Sequence, residues 1–112
     1  MLKAKYRLKK RKQFNYIYRK GRNVGCDCLT LVYCFARMQN IKIGFSASKK
    51  VGGSVKRHRA LRKMREAVKP LIPCMTANHN YIFVAKETIL EKSVLDIQKA
   101  CEHVLKKAGL IK

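Results

Sequence analysis

Gly44-Phe45-Ser46-Ala47-Ser48-Lys49-Lys50-Val51-Gly52-Gly53-Ser54-Val55-Lys56-Arg57-His58-Arg59-Ala60-Leu61-Arg62-Lys63-Met64-Arg65-Glu66 is the stretch on which the fold turns. It begins inside a run, 41–48, where Ile41, Ile43, Phe45 and Ala47 alternate with Lys42, Gly44, Ser46 and Ser48, the period of a strand. Gly52-Gly53 breaks the chain, and Ser54 is a candidate helix N-cap. The helix that follows is expected to run to about Lys69, because Pro70 disfavours helix in the residue before it. Along it Ala60, Leu61, Met64, Ala67 and Val68 gather on one face and Arg59, Arg62, Lys63, Arg65 and Lys69 on the other. Such a helix docks its apolar side on a sheet and leaves its guanidinium groups outside, where their planar forks match phosphate oxygens. The free amides after Gly53 add a place for an anion. Ordinary solvated helices mix signs, whereas Glu66 is the only acid among eight Lys/Arg and His58 between positions 49 and 66.

Working outward, residues 10–20 read as a short helix closed by Gly21 as a left-handed C′ residue. Phe14, Ile17 and Tyr18 share a face, although Phe14, Tyr16 and Tyr18 also alternate like a strand. Residues 28–36 read as a strand, Arg37 to Asn40 as a turn, and 41–48 as its partner in a hairpin. After the basic helix, Pro70 to Asn80 reads as a loop and Tyr81 to Ala85 as a strand. Thr88-x-x-Glu91 offers a capping box to a last helix. Its stripe is Leu90, Val94, Ile97, Cys101, Val104 and Ala108, and Gly109 closes it. The order α-β-β-α-β-α, with room for one more short strand after the first helix, predicts an α+β class single-domain sandwich on a mainly antiparallel sheet.

The 112 residues carry 27 Lys+Arg against 6 Asp+Glu, a formal charge of +21. That length fits one domain, 1–112, with residues 1–8 as a flexible basic tail. A hydrophobic fraction of 47% excludes a disordered polycation. Residues 1–69 hold a net +19 and residues 70–112 only +2, so one part of the chain carries the electrostatics and the rest is scaffold. A compact body this basic calls for a polyanionic partner, nucleic acid or acidic membrane.

The stretch quoted above also resembles the protein subunit of bacterial ribonuclease P. That family pairs a Gly-x-Ser-x-Ser-Lys-Lys-x-Gly-type strand end with an Arg-Asn-Arg helix followed by Lys-Arg and Arg-Glu/Gln. Here Gly44 to Gly52 matches the strand end and Val55 to Glu66 the helix. Arg7-Leu8-Lys9-Lys10 with Phe14 and Gly21 is similar to the family's first helix, and Tyr81 to Ala85 to its last strand. His58 stands where Asn is usual and Leu61 where Lys is common. The resemblance implies a left-handed β-α-β crossover, where chain physics alone expects a right-handed one. It implies an RNA-binding subunit that helps remove the 5′ leader of precursor tRNA, with catalysis by a partner RNA. It implies that Lys49, Lys50, Lys56, Arg57, His58, Arg59, Arg62, Lys63 and Arg65 meet that catalytic RNA. A cleft of Arg11, Lys12, Phe14, Tyr18, Thr30 and Val32 would hold the leader. For Phe14 and Tyr18 two readings stand: bases stack on aromatics beside a basic groove, or both rings are core.

The remaining features are read by exclusion. Gly52-Gly53 lacks the G-x-x-x-x-G-K-[ST] order of a phosphate loop. Cys26-x-Cys28 is too short for the usual zinc knuckle and has no second pair, so no metal bound by the protein is expected. Cys34 and Cys101 read as small core residues. Mg2+ is expected in the holoenzyme, held mainly by the RNA. The scattered histidines 58, 79 and 103 and the scarce acids suggest no catalytic residues in the protein. Reduced thiols and the absence of an apolar span suggest a cytoplasmic protein whose partners are the catalytic RNA and precursor tRNA, with no membrane or obligatory protein partner. A basic structural ribosomal protein is the alternative.

Overall fold

The structure is a computed structural model and describes residues 6–37 and 41–111. Its elements follow the order α1 (Arg11–Lys20), β1 (Arg22–Gly25), β2 (Leu29–Phe35), β3 (Ile41–Ala47), α2 (Ser54–Val68), β4 (His79–Ala85) and α3 (Val94–Lys107). The sheet order is β1-β2-β4-β3. β1–β2 and β2–β4 are antiparallel, and β3–β4 is parallel. The fold is therefore α+β and mainly antiparallel, with the short extra strand β1 present.

The expected β2–β3 hairpin does not form, because β4 lies between its two strands. Tyr81, Ile82 and Phe83 are all fully buried, so β4 needs cover on both faces and takes the centre. β3 buries Ile41, Ile43 and Gly44 but leaves Lys42, Phe45, Ser46 and Ala47 half-buried, and so tolerates an edge. Arg37 begins the expected turn, whose residues 38–40 lie outside the described set.

α2 and α3 cover one face. Leu29, Leu31, Ile43 and Phe83 from the strands meet Ala60, Met64, Ala67 and Val68 from α2 and Ile97, Cys101, Val104 and Leu105 from α3. The opposite face holds a smaller cluster of Leu8, Ile17, Val32 and Ile82 under α1. Full burial of Ile17 contributes about 1.5–3 kcal/mol and anchors α1. Residues 6–8 are not a loose tail: Leu8 N–H donates to the Ile43 carbonyl at 2.9 Å, and Arg7 pairs with Ile43 along the β3 edge.

Local signals are followed less evenly. Gly21 is extended rather than left-handed (φ −81). Its lack of a side chain serves close approach, because a Cβ would lie 2.5 Å from the Ile17 carbonyl oxygen and 2.7 Å from that of Tyr33. α2 starts at Ser54, with Gly53 in the cap position and no side-chain cap. Lys69–Cys74, expected as the helix end and then loop from Pro70, is a 3₁₀ turn that accommodates both prolines. Thr88 does not begin the last helix: Glu87–Glu91 is a 3₁₀ turn, and α3 begins after Ser93, whose Oγ accepts from Asp96 N–H. Ile89, fully buried, and Lys63, whose ammonium donates to the Leu90 and Lys92 carbonyls at 3.2 and 2.9 Å, fix that turn. Gly109 closes α3 as expected, at φ 74, with Leu110 N–H on the Leu105 carbonyl.

Candidate nucleic-acid interface

α2 is held by a wholly buried stripe, Ala60, Met64, Ala67 and Val68. The helical period then sends its cations outward: Lys56, His58, Arg59 and Arg62 are exposed or partly so, as are Lys49 and Lys50 in the 3₁₀ turn before it. No Lys or Arg of α2 is ion-paired with a described residue, the one such pair being Lys92–Asp27. His58, Arg62, Arg65, Glu66 and Lys69 line one continuous hollow along the helix. Arg57 is half-buried, and its Nε–H lacks a partner beside Ala47 and Leu61.

Two of the nine expected docking residues stand apart. Lys63 turns inward to the carbonyls that end the 3₁₀ turn, so its charge is engaged inside the protein. Arg65 is half-buried and lies 5.9 Å from the Phe45 ring centroid, a cation–π contact.

On the other face, the strand register sorts the residues into rows. Thr30, Val84 and Ser46 are neighbours in one row, and Val32, Ile82 and Gly44 in the next. α1 lies over the second row. Val32, 7% exposed, is packed beneath it and belongs to the small core rather than to an open cleft. Phe14 divides its ring between core and surface: it is half-buried and sits so close to Gly44 that a Cβ there would lie 2.5 Å from the ring. Tyr18 is 45% exposed, its ring centroid 6.5 Å from that of Phe14. Arg11 and Lys12 are exposed at the start of α1.

The first row is half-buried and lies next to the one under α1. Thr30 is in it, joined by Ser46 and Val84, which the sequence did not single out. Alternation marks both residues as facing away from the main core, but only the insertion of β4 between β2 and β3 brings them beside Thr30. The two surfaces meet at the β3 edge, where Arg7, Leu8 and Phe14 from one side and Phe45 and Arg65 from the other line one small hollow. Cations thus continue from α2 around the edge to α1.

Several titratable groups away from α2 are shifted by their surroundings. Burial holds the Tyr81 phenol up at about 12 while its hydroxyl donates to the Thr76 carbonyl at 2.6 Å. Burial with the nearby Cys26 pushes the Cys28 thiol up to about 12. Lys92, 3.1 Å away, holds the Asp27 carboxyl below its ordinary range. The three histidines sit on α2, β4 and α3. No helix among the described residues is long and apolar enough to cross a membrane.

The family model described as Ribonuclease P matches residues 2–109. The ribonuclease P protein component of Chloroflexus aurantiacus is 32% identical over 111 residues, spanning 98% of this chain and 82% of that one. Its counterpart in Clostridium botulinum strain Loch Maree is 34% identical over 105 residues, 93% and 95% of the two chains. The solved RNase P protein of Staphylococcus aureus superposes with a TM-score of 0.85 at 33% identity, over 98% of this chain and all of that one.

Proposed function

This chain belongs to the ribonuclease P protein family, the protein subunits of an endoribonuclease holoenzyme, and we propose that α2 docks it on the catalytic RNA of that enzyme. The observation that carries the reading is the outer face of α2, a row of cations without ion-pair partners on a helix whose other side is fully buried. Eight side chains form the docking face: Lys49, Lys50, Lys56, Arg57, His58, Arg59, Arg62 and Arg65. Lys63 contributes by fixing the 3₁₀ turn against α2. The bare N-terminal amides of α2 favour a further phosphate.

The groove beside α1 receives the single-stranded 5′ leader of precursor tRNA. Thr30, Ser46 and Val84 form its floor, Tyr18 and the exposed part of Phe14 offer ring faces, and Arg11 and Lys12 neutralise backbone phosphates. Catalysis belongs to the RNA, with Mg2+ held mainly by it, and the protein acts in the cytoplasm by lowering repulsion between two RNAs. Lower repulsion lessens the demand for magnesium.

The test is reconstitution with a cognate catalytic RNA. The protein alone leaves precursor tRNA intact, and the pair processes it at low magnesium where the RNA alone does not. Processing by the pair no better than by the RNA alone contradicts the reading.

A further inference from the structure

At the edge of the sheet away from β3, the connection from β1 to β2 carries Cys26, Asp27 and Cys28. One ligand atom from each, two sulfurs and a carboxylate oxygen, lies within 4.8 Å of the others. A tetrahedral ion with bonds of about 2.3 Å to sulfur and about 2.0–2.2 Å to oxygen sets its ligands about 3.5–3.8 Å apart. About one ångström of side-chain movement closes the set.

The backbone beneath is already fixed. The Cys26 carbonyl accepts from Lys86 Nζ, that of Asp27 from Thr88 Oγ1 at 2.7 Å, and that of Cys28 from Lys86 N–H at 2.9 Å. All three residues are therefore clamped by one short segment. The hollow they line is completed by Lys92, Asp96, Lys99, Ala100 and His103. In a chain of charge +21 with six acids, five cysteines and three histidines, it collects two acids, two cysteines and one histidine.

We propose that the β1–β2 turn binds a thiophilic divalent cation of the zinc class through Cys26 Sγ, Cys28 Sγ and the Asp27 carboxylate, its fourth position open to the hollow lined by Asp96 and His103. Two thiolates and a carboxylate around a dication leave one negative charge, which Lys92 offsets. Lys92 already holds Asp27 at 3.1 Å, the kind of outer contact that orients a ligand. The spacing is shorter than that of a zinc knuckle, yet the turn brings all three ligand atoms within 4.8 Å of one another. Bound there, the ion pins the turn that leads from Gly25 into Thr30, at the end of the groove floor.

Metal-stripped full-length protein, kept reduced with a phosphine, is titrated with Co2+ and then Zn2+. The expected result is one Co2+ per chain with a sulfur-to-cobalt charge-transfer band, displaced by Zn2+. Cys26→Ser changes a half-buried residue and spares buried Cys28. It is expected to weaken binding by more than the roughly 10–100-fold that follows removal of an outer partner. Cys34→Ser and Cys74→Ser leave the band intact. A wild-type protein without the band, a Cys26→Ser protein with the band undiminished, or equal weakening in Cys74→Ser overturns the site. The assay contains no RNA, so its outcome is read separately from that of reconstitution.

Discussion

α2 and α3 are near twins inside and opposites outside. They have 15 and 14 residues, lie on the same sheet face and each bury four side chains. α3 is finished as a stable helix: Ser93 caps its first turn, Asp96 favours the positive end of its dipole, Lys106 and Lys107 the negative end, and Gly109 closes it. α2 has no side-chain cap, no acid in its first turn, and Lys56 and Arg57 where the dipole disfavours cations. Exposed Arg59 and Arg62 add like charges one turn apart, unfavourable by about 0.2–0.5 kcal/mol. The difference teaches that burial holds both helices, while the outer face of α2 keeps its cations at the expense of the helix itself.

The largest expected effect ignores the difference. Met64→Ala in α2 and Leu105→Ala in α3 each remove a fully buried side chain, and each should cost about 2–5 kcal/mol in urea unfolding. A much smaller effect for Met64→Ala would mean that α2 is not held by its buried stripe.

Next comes stabilisation by a polyanion. A structured RNA at about 100 times its Kd should raise stability by about 2.7 kcal/mol. Arg59→Ala/Arg62→Ala should forfeit most of that increase and, without RNA, be as stable as the parent or a few tenths of a kcal/mol more so. Lys99→Ala/Lys106→Ala on α3 should keep the increase, and equal reductions would erase the contrast between the helices.

Capping gives a smaller contrast. Ser93→Ala should cost about 0.5–2 kcal/mol, because it leaves Asp96 N–H without its acceptor. Ser54→Ala, which removes no cap bond, should stay within about 0.5 kcal/mol of the parent.

Titration of Tyr81 has no effect at neutral pH. Its folded pKa, about 12, lies above the ordinary 10.0, so the native state keeps a proton that the unfolded chain releases. Stability from this group is whole below about pH 10 and declines as pH rises towards 12. Tyr81→Phe should flatten that part of the curve, and an unchanged alkaline decline would assign it to other groups.

Much of this was legible in the sequence because it depends on local period. The apolar stripe of α2, the strands around Leu31, Ile43 and Phe83, and the closure of α3 at Gly109 all follow from spacing and turn chemistry. What was not legible depends on partners distant in the chain. Nothing in Ile41 to Ala47 says that its neighbour is β4 rather than β2, so the hairpin was the natural and mistaken reading. Thr88 offers a cap, but burial of Ile89 together with Lys63 makes Glu87–Glu91 a 3₁₀ turn, and the cap falls to Ser93. Lys63 belongs by angle to the basic face, and only the carbonyls of Leu90 and Lys92 draw it inward. Val32 and Thr30 sit two apart on one strand face, yet α1 covers the first and leaves the second only half-buried.

The salt dependence of binding to the catalytic RNA tests the central claim most directly. Each phosphate that a variant no longer neutralises should reduce the slope of log K against log salt, in magnitude, by about one. Arg59→Ala/Arg62→Ala should therefore lower it by about two, with Lys99→Ala/Lys106→Ala leaving it at the parent value. An unchanged slope in the α2 variant, or the same drop in the α3 variant, contradicts the account.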